Sequence, residues 1–486
     1  MAPPGNPEDA GCQNGGEVKT RSLVFAVAVA SLVHVVLPAQ ARPVAQAASL
    51  TDTQIEELAY RGYVWGMPLV EAALIRKRFT LGQSAGDPGT PINAFKHRRT
   101  LSGPEMRVGV GPNNDTIYSS AWLDLATGPL IVSAPDFGRR YYTFSINLAD
   151  SSSERSLGQR THGGQLPPLF VHGPGWHGSA PPGMVDVPSS TRYVNVAGRI
   201  LVRSPSEYDE VHALQDKLAV IRWADWRKGK HTPALAADQR ELAHGPQGAP
   251  PELVFFHRLA SVLQDWIVRP EDRAMIAELS RLEITQKDGF RPGRLAAGQL
   301  AALARGFVRA REAVRLASLR LGVERNGWTT NYRGPRFGSD LMLRAAVAKD
   351  QIFVAVPEEA IYPIAQVDAA GIRLDGAHRY RICFGSGQLP PVDAFWSITA
   401  YDDTGFMIPN AVHRYSVGDR TDGLVADKDG GVTIEVGATA PVDGATVNWL
   451  PVAADAPFYL MMRLYRPQGS ALEQVWVPPA IRRVDQ

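Results

Sequence analysis

The chain has 486 residues, 44% hydrophobic and 21% charged, and its 51 basic and 49 acidic residues leave a formal net charge of +2. That length exceeds what one hydrophobic core organises, so two or three domains are expected. The balance of charge excludes a global field for nucleic acid or an anionic membrane surface, and no basic arm is interleaved with aromatics.

The N-terminus reads as an export signal. Lys19 and Arg21 precede an apolar run at 23–37, and Ala39-Gln40-Ala41 and Ala45-Gln46-Ala47 offer small residues at signal-peptidase spacing. Ser31 and His34 interrupt the run, which is short, so cleavage is expected rather than a stable membrane span, and the mature protein is expected in the periplasm or secreted. Residues 1–17 are foreign to such a signal, and Val18 is a candidate start position. Of the two cysteines, Cys12 lies upstream of the signal; Cys383, alone in a strand-like run, reads as a small buried apolar residue rather than a nucleophile.

In chain order, Thr53 and Glu56 have capping-box spacing, and Ile55, Leu58, Ala59 and Gly62 mark one buried helix face. Gly66-Met67-Pro68 breaks the period, and Val70, Ala73, Leu74 and Lys77 resume it, predicting a helical pair. Residues 82–104 are irregular and carry Asn93, His97, Arg98 and Arg99 as rim candidates. From Asn113 to about 202 the period becomes two: Ile117, Ser119, Ala121, Leu123 and Leu125 share one strand face, Tyr118, Ser120, Trp122 and Asp124 the other. Further strands are predicted at 129–134, 141–148, 169–172 and 193–201. Residues 205–321 read as all-helical, with one long helix over 295–321. Strand patterning returns at 380–384, 395–401, 431–436 and 458–465.

The fold class expected is therefore α+β, mostly β, with two jelly-roll-like β-sandwich domains at 105–204 and 351–486. A leader at 1–48 and a lead with the helical pair at 49–104 come before them, and a helical insertion at 205–350 lies between. The alike runs at 142–146 and 395–399 hint that the two β regions are related.

The densest polar cluster is Asn113-Asn114-Asp115-Thr116-Ile117-Tyr118-Ser119. Two amides and a carboxylate there could bind a polar ligand, with Asp115 as a base. Asx side chains cap turns far more often than they catalyse, so the favoured reading has Asn113 and Asp115 capping a turn and Asp115 fastening a buried arginine, with Arg160 the obvious partner. Arg414-Tyr415-Ser416-Val417-Gly418-Asp419-Arg420 is a second constellation, fit equally for clamping an anion and for an inter-domain salt-bridge network. Tyr118, Trp122, Tyr142, Trp396, Tyr401 and Trp449 could stack on a sugar, although aromatic residues in strands are more often core. His162, His172 and His177 match no metal-ligand spacing, and no P-loop, G-x-G-x-x-G, G-x-S-x-G or H-E-x-x-H sequence is present, so no metal and no cofactor are expected.

The Asn113–Ser119 corner, Tyr141-Tyr142 and Gly158-Gln159-Arg160-Thr161 resemble the exported family of domain of unknown function 1254. Ala394-Phe395-Trp396-Ser397-Ile398-Thr399, Asn410, the Arg414–Arg420 run, Asn448-Trp449-Leu450-Pro451 and Arg463-Leu464-Tyr465 resemble its usual partner, domain of unknown function 1214. The resemblance implies the β, helical, β order and supplies no activity. Ala411-Val412-His413 departs from the pattern, where a Pro and an Asn are usual, which argues against a family-wide role for His413.

Two functions remain open. One is a cofactor-independent enzyme acting on a small polar or saccharide-like molecule in an inter-domain cleft. Asp115, Tyr118 and Arg160 would be catalytic there, and Asn113, Asn114, Tyr142, Arg414, Tyr415, Asp419 and Arg420 would bind the ligand. The other is a non-catalytic envelope protein, ligand-binding or structural, in which the same residues are architecture. An unpaired oxygen on Asp115 favours the first; complete satisfaction of the corner favours the second.

Overall fold

Thr51 caps the first helix: its hydroxyl accepts the Gln54 N–H at 3.3 Å and the Gln54 side chain accepts the Thr51 N–H at 3.0 Å. The cap thus lies two residues ahead of the expected Thr53. The computed structural model describes residues 50–82, 88–107, 111–236, 242–441 and 446–484; the expected leader and Cys12 lie outside the described residues. Both predicted N-terminal helical stretches are present, and they are continuous in α1 (Asp52–Leu81), which runs through Pro68. Proline removes one backbone donor, but Met67, Leu69 and Val70 are buried around it and hold the helix together. Just before the proline, the Trp65 carbonyl accepts Arg344 Nη2 at 2.9 Å.

The first β region begins with β1 (Phe95–His97), β2 (Thr116–Asp124), β3 (Leu130–Ser133), β4 (Tyr142–Leu148) and β5 (Arg155–Gly158). The short helix α2 (Gln159–His162), then β6 (Leu169–His172), β7 (Val185–Pro188) and β8 (Tyr193–Leu201) follow. Helix α3 (Tyr208–Gln215) leads to β9 (Ala219–Arg222), which runs into α4 (Trp223–Trp226). One sheet has the order β1-β2-β8-β4-β5, a second β7-β6-β3-β9. Ile117, Leu123, Phe144, Val196 and Ile200 of the first and Leu130, Val132, Leu169, Val171 and Val220 of the second fill one shared core.

Residues 205–350 are not wholly helical, because β9 completes the second sheet beside β3. The helices that follow, α5 (Pro251–Gln264) and α6 (Arg273–Ser280), the two-residue strands β10 (Ile284–Thr285) and β11 (Gly289–Phe290), and α7 (Ala297–Ser318) share a core with α1. At the α1–α7 crossing a Cβ on Gly306 would sit 2.2 Å from the Glu56 carbonyl oxygen, so the two backbones approach too closely for any side chain. The N-terminal lead and the insertion therefore form one helical layer, although the first β region lies between α1 and α5 in the sequence.

A hairpin of β12 (Val323–Arg325) and β13 (Trp328–Thr330) follows, then α8 (Leu341–Asp350). Next come β14 (Ala360–Ile361), β15 (Ile364–Ala365), β16 (Arg379–Phe384), β17 (Val392–Asp402) and β18 (Ser416–Gly418). The last strands are β19 (Val432–Gly437), β20 (Trp449–Pro451), β21 (Phe458–Pro467) and β22 (Arg482–Val484). A seven-stranded sheet ordered β12-β13-β15-β21-β17-β18, with β14 also against β21, shares a core with a four-stranded sheet, β20-β19-β16-β22. Helix and strand are thus nearly balanced in an α+β fold with several sheets. Cys383 is exposed on β16, on the face opposite Ile382 and Phe384, which corrects the expectation that it is buried. Among the described residues no helix is long and apolar enough to cross a membrane.

Candidate functional site

The inner face of β2, β4 and β8 is apolar, so alternation places every second residue on the outer face. On β2 these are Tyr118, Ser120 and Trp122. Directly across on β8 lie Arg199, Ala197 and Asn195, and across again on β4 lie Thr143, Ser145 and Asn147. An outer sheet face is normally wet, but α1, the segment after α8 and the C-terminal sheet cover this one. Thr143, Ser145, Asn147 and Asn195 are consequently buried, and Arg199 keeps only 9% of its surface.

A cavity of about 470 Å³ lies on this face. Its floor is Tyr118, Ser120, Trp122, Asn195 and Arg199; Glu71, Arg78 and Phe79 of α1, residues 348–354 and, from the C-terminal half, Tyr362, Met461 and Arg463 form the walls. Arg78 and Lys349 are exposed and mark the mouth. Phe353 in the wall has φ 62°, an unusual conformation for a bulky residue, and its ring meets Trp122 edge-on at 5.6 Å. Several polar atoms of this face are buried without a partner among the described residues: Thr143 Oγ1, Asn147 Oδ1, Trp122 Nε1 and Arg199 Nη1. Folded proteins leave few such atoms, and clusters of them mark sites that a ligand or water completes.

Tyr118 lies on the floor of the cavity among arginines. Burial raises its pKa, but the guanidiniums of Arg199, Arg463 and Arg98 outweigh burial and hold the phenol below its ordinary value. Arg199 Nε donates to Tyr118 Oη at 3.5 Å, and the Arg98 and Arg199 guanidiniums each lie 5.4 Å from the ring centroid. Tyr362 is different: burial pushes its phenol up, with Arg199 only partly opposing. Glu71 is likewise raised by burial, against Arg78 and Arg258.

The Asn113–Asp115 corner lies beside the cavity, and only Asn113 and the Gly111 before it reach the wall. Asp115 is 1% exposed. Its Oδ1 accepts Arg420 Nη2 and its Oδ2 accepts the Ser397 hydroxyl at 2.8 Å. Asn113 Nδ2 donates to Tyr465 Oη at 2.7 Å and to Thr116 Oγ1 at 2.8 Å, while its Oδ1 accepts the Asp115 N–H at 2.6 Å. Asn114 donates to the Ser102 carbonyl and accepts from Ser416 Oγ. Tyr401 Oη donates to the Pro112 carbonyl and Arg463 Nη2 to that of Gly111. The corner thus ties the first β region to β17, β18 and β21 of the second.

Arg160 does not meet Asp115, contrary to expectation. It donates from Nε to Glu359 at 2.9 Å, and the same fully buried carboxylate accepts Tyr141 Oη at 2.7 Å. Tyr142 is core: it stacks on Phe137 at 4.0 Å and donates to the Gly163 carbonyl. Arg414 donates to the Trp449 carbonyl, and Tyr415 Oη lies 3.2 Å from His413 Nδ1. Asp419 accepts the Trp396 N–H, and burial pushes it up to about 6. Asn93, expected on a rim, is buried with its Oδ1 on the Asp124 N–H.

Of the ten residues singled out from the sequence, Asn113 and Tyr118 line the cavity; Arg199, Asn195, Tyr362 and Glu71 were missed. The period-two placement of Asn195 and Arg199 within the apolar run at 193–201 was the available signal. Among the described residues no group of three His, Cys, Asp or Glu is arranged to hold a metal ion.

Residues 92–222 match the family model described as a protein of unknown function, DUF1254, and residues 359–469 match that of DUF1214, also of unknown function. No curated protein matches the chain. The crystal structure of the VPA0106 protein from Vibrio parahaemolyticus aligns with 89% of this chain and 100% of that one, with 24% identity and a TM-score of 0.65. An uncharacterised protein from Burkholderia cenocepacia aligns with 89% of this chain and 93% of its own, with 14% identity and a TM-score of 0.42. The first likeness establishes a shared fold.

Proposed function

Because the chain carries domain of unknown function 1254 followed by domain of unknown function 1214, and neither brings an activity with it, we propose a function from the cavity: it binds a small polar molecule, and Tyr118 exchanges a proton with it. The observation that carries this reading is the outer face of β2 and β8, where Trp122 and Arg199, each with a buried polar atom that has no partner among the described residues, line a cavity of ligand size. Sheets that only pack bury apolar residues on such a face.

Tyr118 suits proton transfer because its neighbours favour the phenolate, which accepts a proton from a bound hydroxyl or acidic C–H and can return it. Arg199 then stabilises the negative charge left on the ligand. Such chemistry needs no cofactor. Asp115 receives no chemical role, since both its oxygens are engaged by Arg420 and Ser397.

A second reading, non-catalytic binding in the cell envelope, is favoured by that same complete satisfaction of the Asn113–Asp115 corner. The basic and apolar pattern at 19–47 supports export to the periplasm or beyond in both readings.

Tyr118→Phe separates them. Thermal-shift screening against sugars, sugar acids and hydroxy acids identifies a stabilising compound, and product formation from it is then followed in wild type and variant. Turnover that collapses in Tyr118→Phe while stabilisation persists supports the enzyme; binding without turnover in either protein supports the second reading. Absence of any stabilising compound rejects the cavity as a ligand site.

A further inference from the structure

Resting on the reading of the cavity as a ligand site, we infer that its ligand is a small hydroxylated carboxylate whose negative charge is the missing counter-charge of Arg199. Several of the buried or half-buried arginines of this protein are met by carboxylates. Arg420 is held by Asp115, Arg269 and Arg344 by Asp150, Arg192 by Asp124 and Asp265, and Arg160 by Glu359. Such pairing is the rule, since a guanidinium taken out of water loses its hydration and must recover that loss from an opposite charge.

Arg199, like Arg463, has no carboxylate partner within 4.0 Å among the described residues. Its guanidinium makes one protein hydrogen bond among those residues, Nε to Tyr118 Oη, and Nη1 is buried without a partner there. The ionisable groups around it are the phenols of Tyr362, Tyr118 and Tyr465. Arg463, buried nearby, gives the contrast: its Nη1 donates to Thr399 Oγ1 at 3.0 Å and its Nη2 to Tyr401 Oη at 2.6 Å, so its donors are occupied by the fold. Arg199 is the charged group of the floor that remains for a ligand.

The remaining surroundings fit the same ligand. Arg78 at the mouth adds positive charge along the approach, while Lys349 and Asp350, 2.7 Å apart, offset each other. Ser120 and Tyr362 present hydroxyls with no protein hydrogen bond among the described residues, which suits ligand hydroxyl groups beside the carboxylate. A planar fork recognises a planar carboxylate in two-point fashion, which neither Lys nor a lone hydroxyl does. The volume of about 470 Å³ admits a molecule of monosaccharide size.

The test compares matched probes that differ at one carbon: glucuronate against glucose and galacturonate against galactose, at constant ionic strength, on the purified protein. The expected result is a saturable rise in Tm with a uronate, none with its neutral partner, and loss of the rise in Arg199→Gln. Arg320→Gln, at an exposed arginine outside the cavity lining, retains it. Arg199→Lys, which keeps the charge and so guards against a folding failure of the Gln variant, retains the preference for the acid with at least tenfold weaker binding. Stabilisation by the neutral sugars equal to that by the acids, or a uronate response that survives Arg199→Gln, overturns the anion while leaving the cavity as a ligand site. Stabilisation by no probe, with succinate and gluconate added to the set, overturns both.

Discussion

Asp115, at the head of β2, holds Arg420, just past β18, across 305 residues of sequence. The carboxylate is 1% exposed and has the Ser397 hydroxyl on its other oxygen, so the contact is an internal rivet between the two β regions. Asp115→Ala should therefore cost about 3–5 kcal/mol, because it leaves a guanidinium buried without its counter-charge. Urea denaturation of Asp115→Ala, Arg420→Met and the double variant measures this. The double variant should lose less than the two single losses combined, and strict additivity would show that the residues are not coupled.

Glu359 and Arg160 form a second rivet with a built-in asymmetry. The carboxylate is fully buried and also accepts Tyr141 Oη, whereas the Arg160 side chain is 29% exposed. Arg160→Ala strands a buried anion and is expected to lose about 3–5 kcal/mol. Glu359→Gln keeps an acceptor for Tyr141 and lets Arg160 turn to water, so about 1–2 kcal/mol is expected. Equal losses in equilibrium unfolding would contradict this account.

Tyr118 should ionise below the range of an ordinary tyrosine, because the arginines around it outweigh its burial. Tyr141, Tyr362 and Tyr459 are raised by burial and should ionise later. An ultraviolet difference titration should show one early phenolate in the wild type and none in Tyr118→Phe. The sign for stability follows from a folded-state pKa below the unfolded one: as pH rises through the folded pKa toward 10, Tyr118 adds stability that its Phe variant lacks.

His97 offers a test in the acid range. Burial, with Arg99 adding repulsion, lowers its pKa from 6.5 to about 4, and its Nδ1 lies 2.9 Å from Ser119 Oγ. The neutral ring is therefore the native form. Its contribution to stability is complete above pH 6.5 and is lost as the pH falls through about 4, since the unfolded chain takes up the proton first. Nuclear magnetic resonance titration of the His97 ring should give a midpoint near 4. A midpoint near 6.5 would mean that the ring is wet.

Local physics made much of this protein legible in the sequence. Alternation at 116–124, 193–201 and 458–467 marks strands because an apolar residue at every second position must turn to a core, and the structure places strands there. The Ala, Leu and Arg composition near 300 gave one long helix for the same kind of reason, and the run of Asx residues at 113–115 was correctly read as a place where side chains tie down backbone. Pairing lay beyond sequence reasoning. Nothing local tells Asp115 to choose Arg420 over Arg160, or sets α1 against α7, or pairs β9 with β3, because each depends on where distant segments come to rest. The cavity is the clearest case. Tyr118, Ser120 and Asn195 have the pattern of a wet outer face, and only the helices and the second β region closing over that face made it an interior, leaving Arg199 with no carboxylate within 4.0 Å among the described residues.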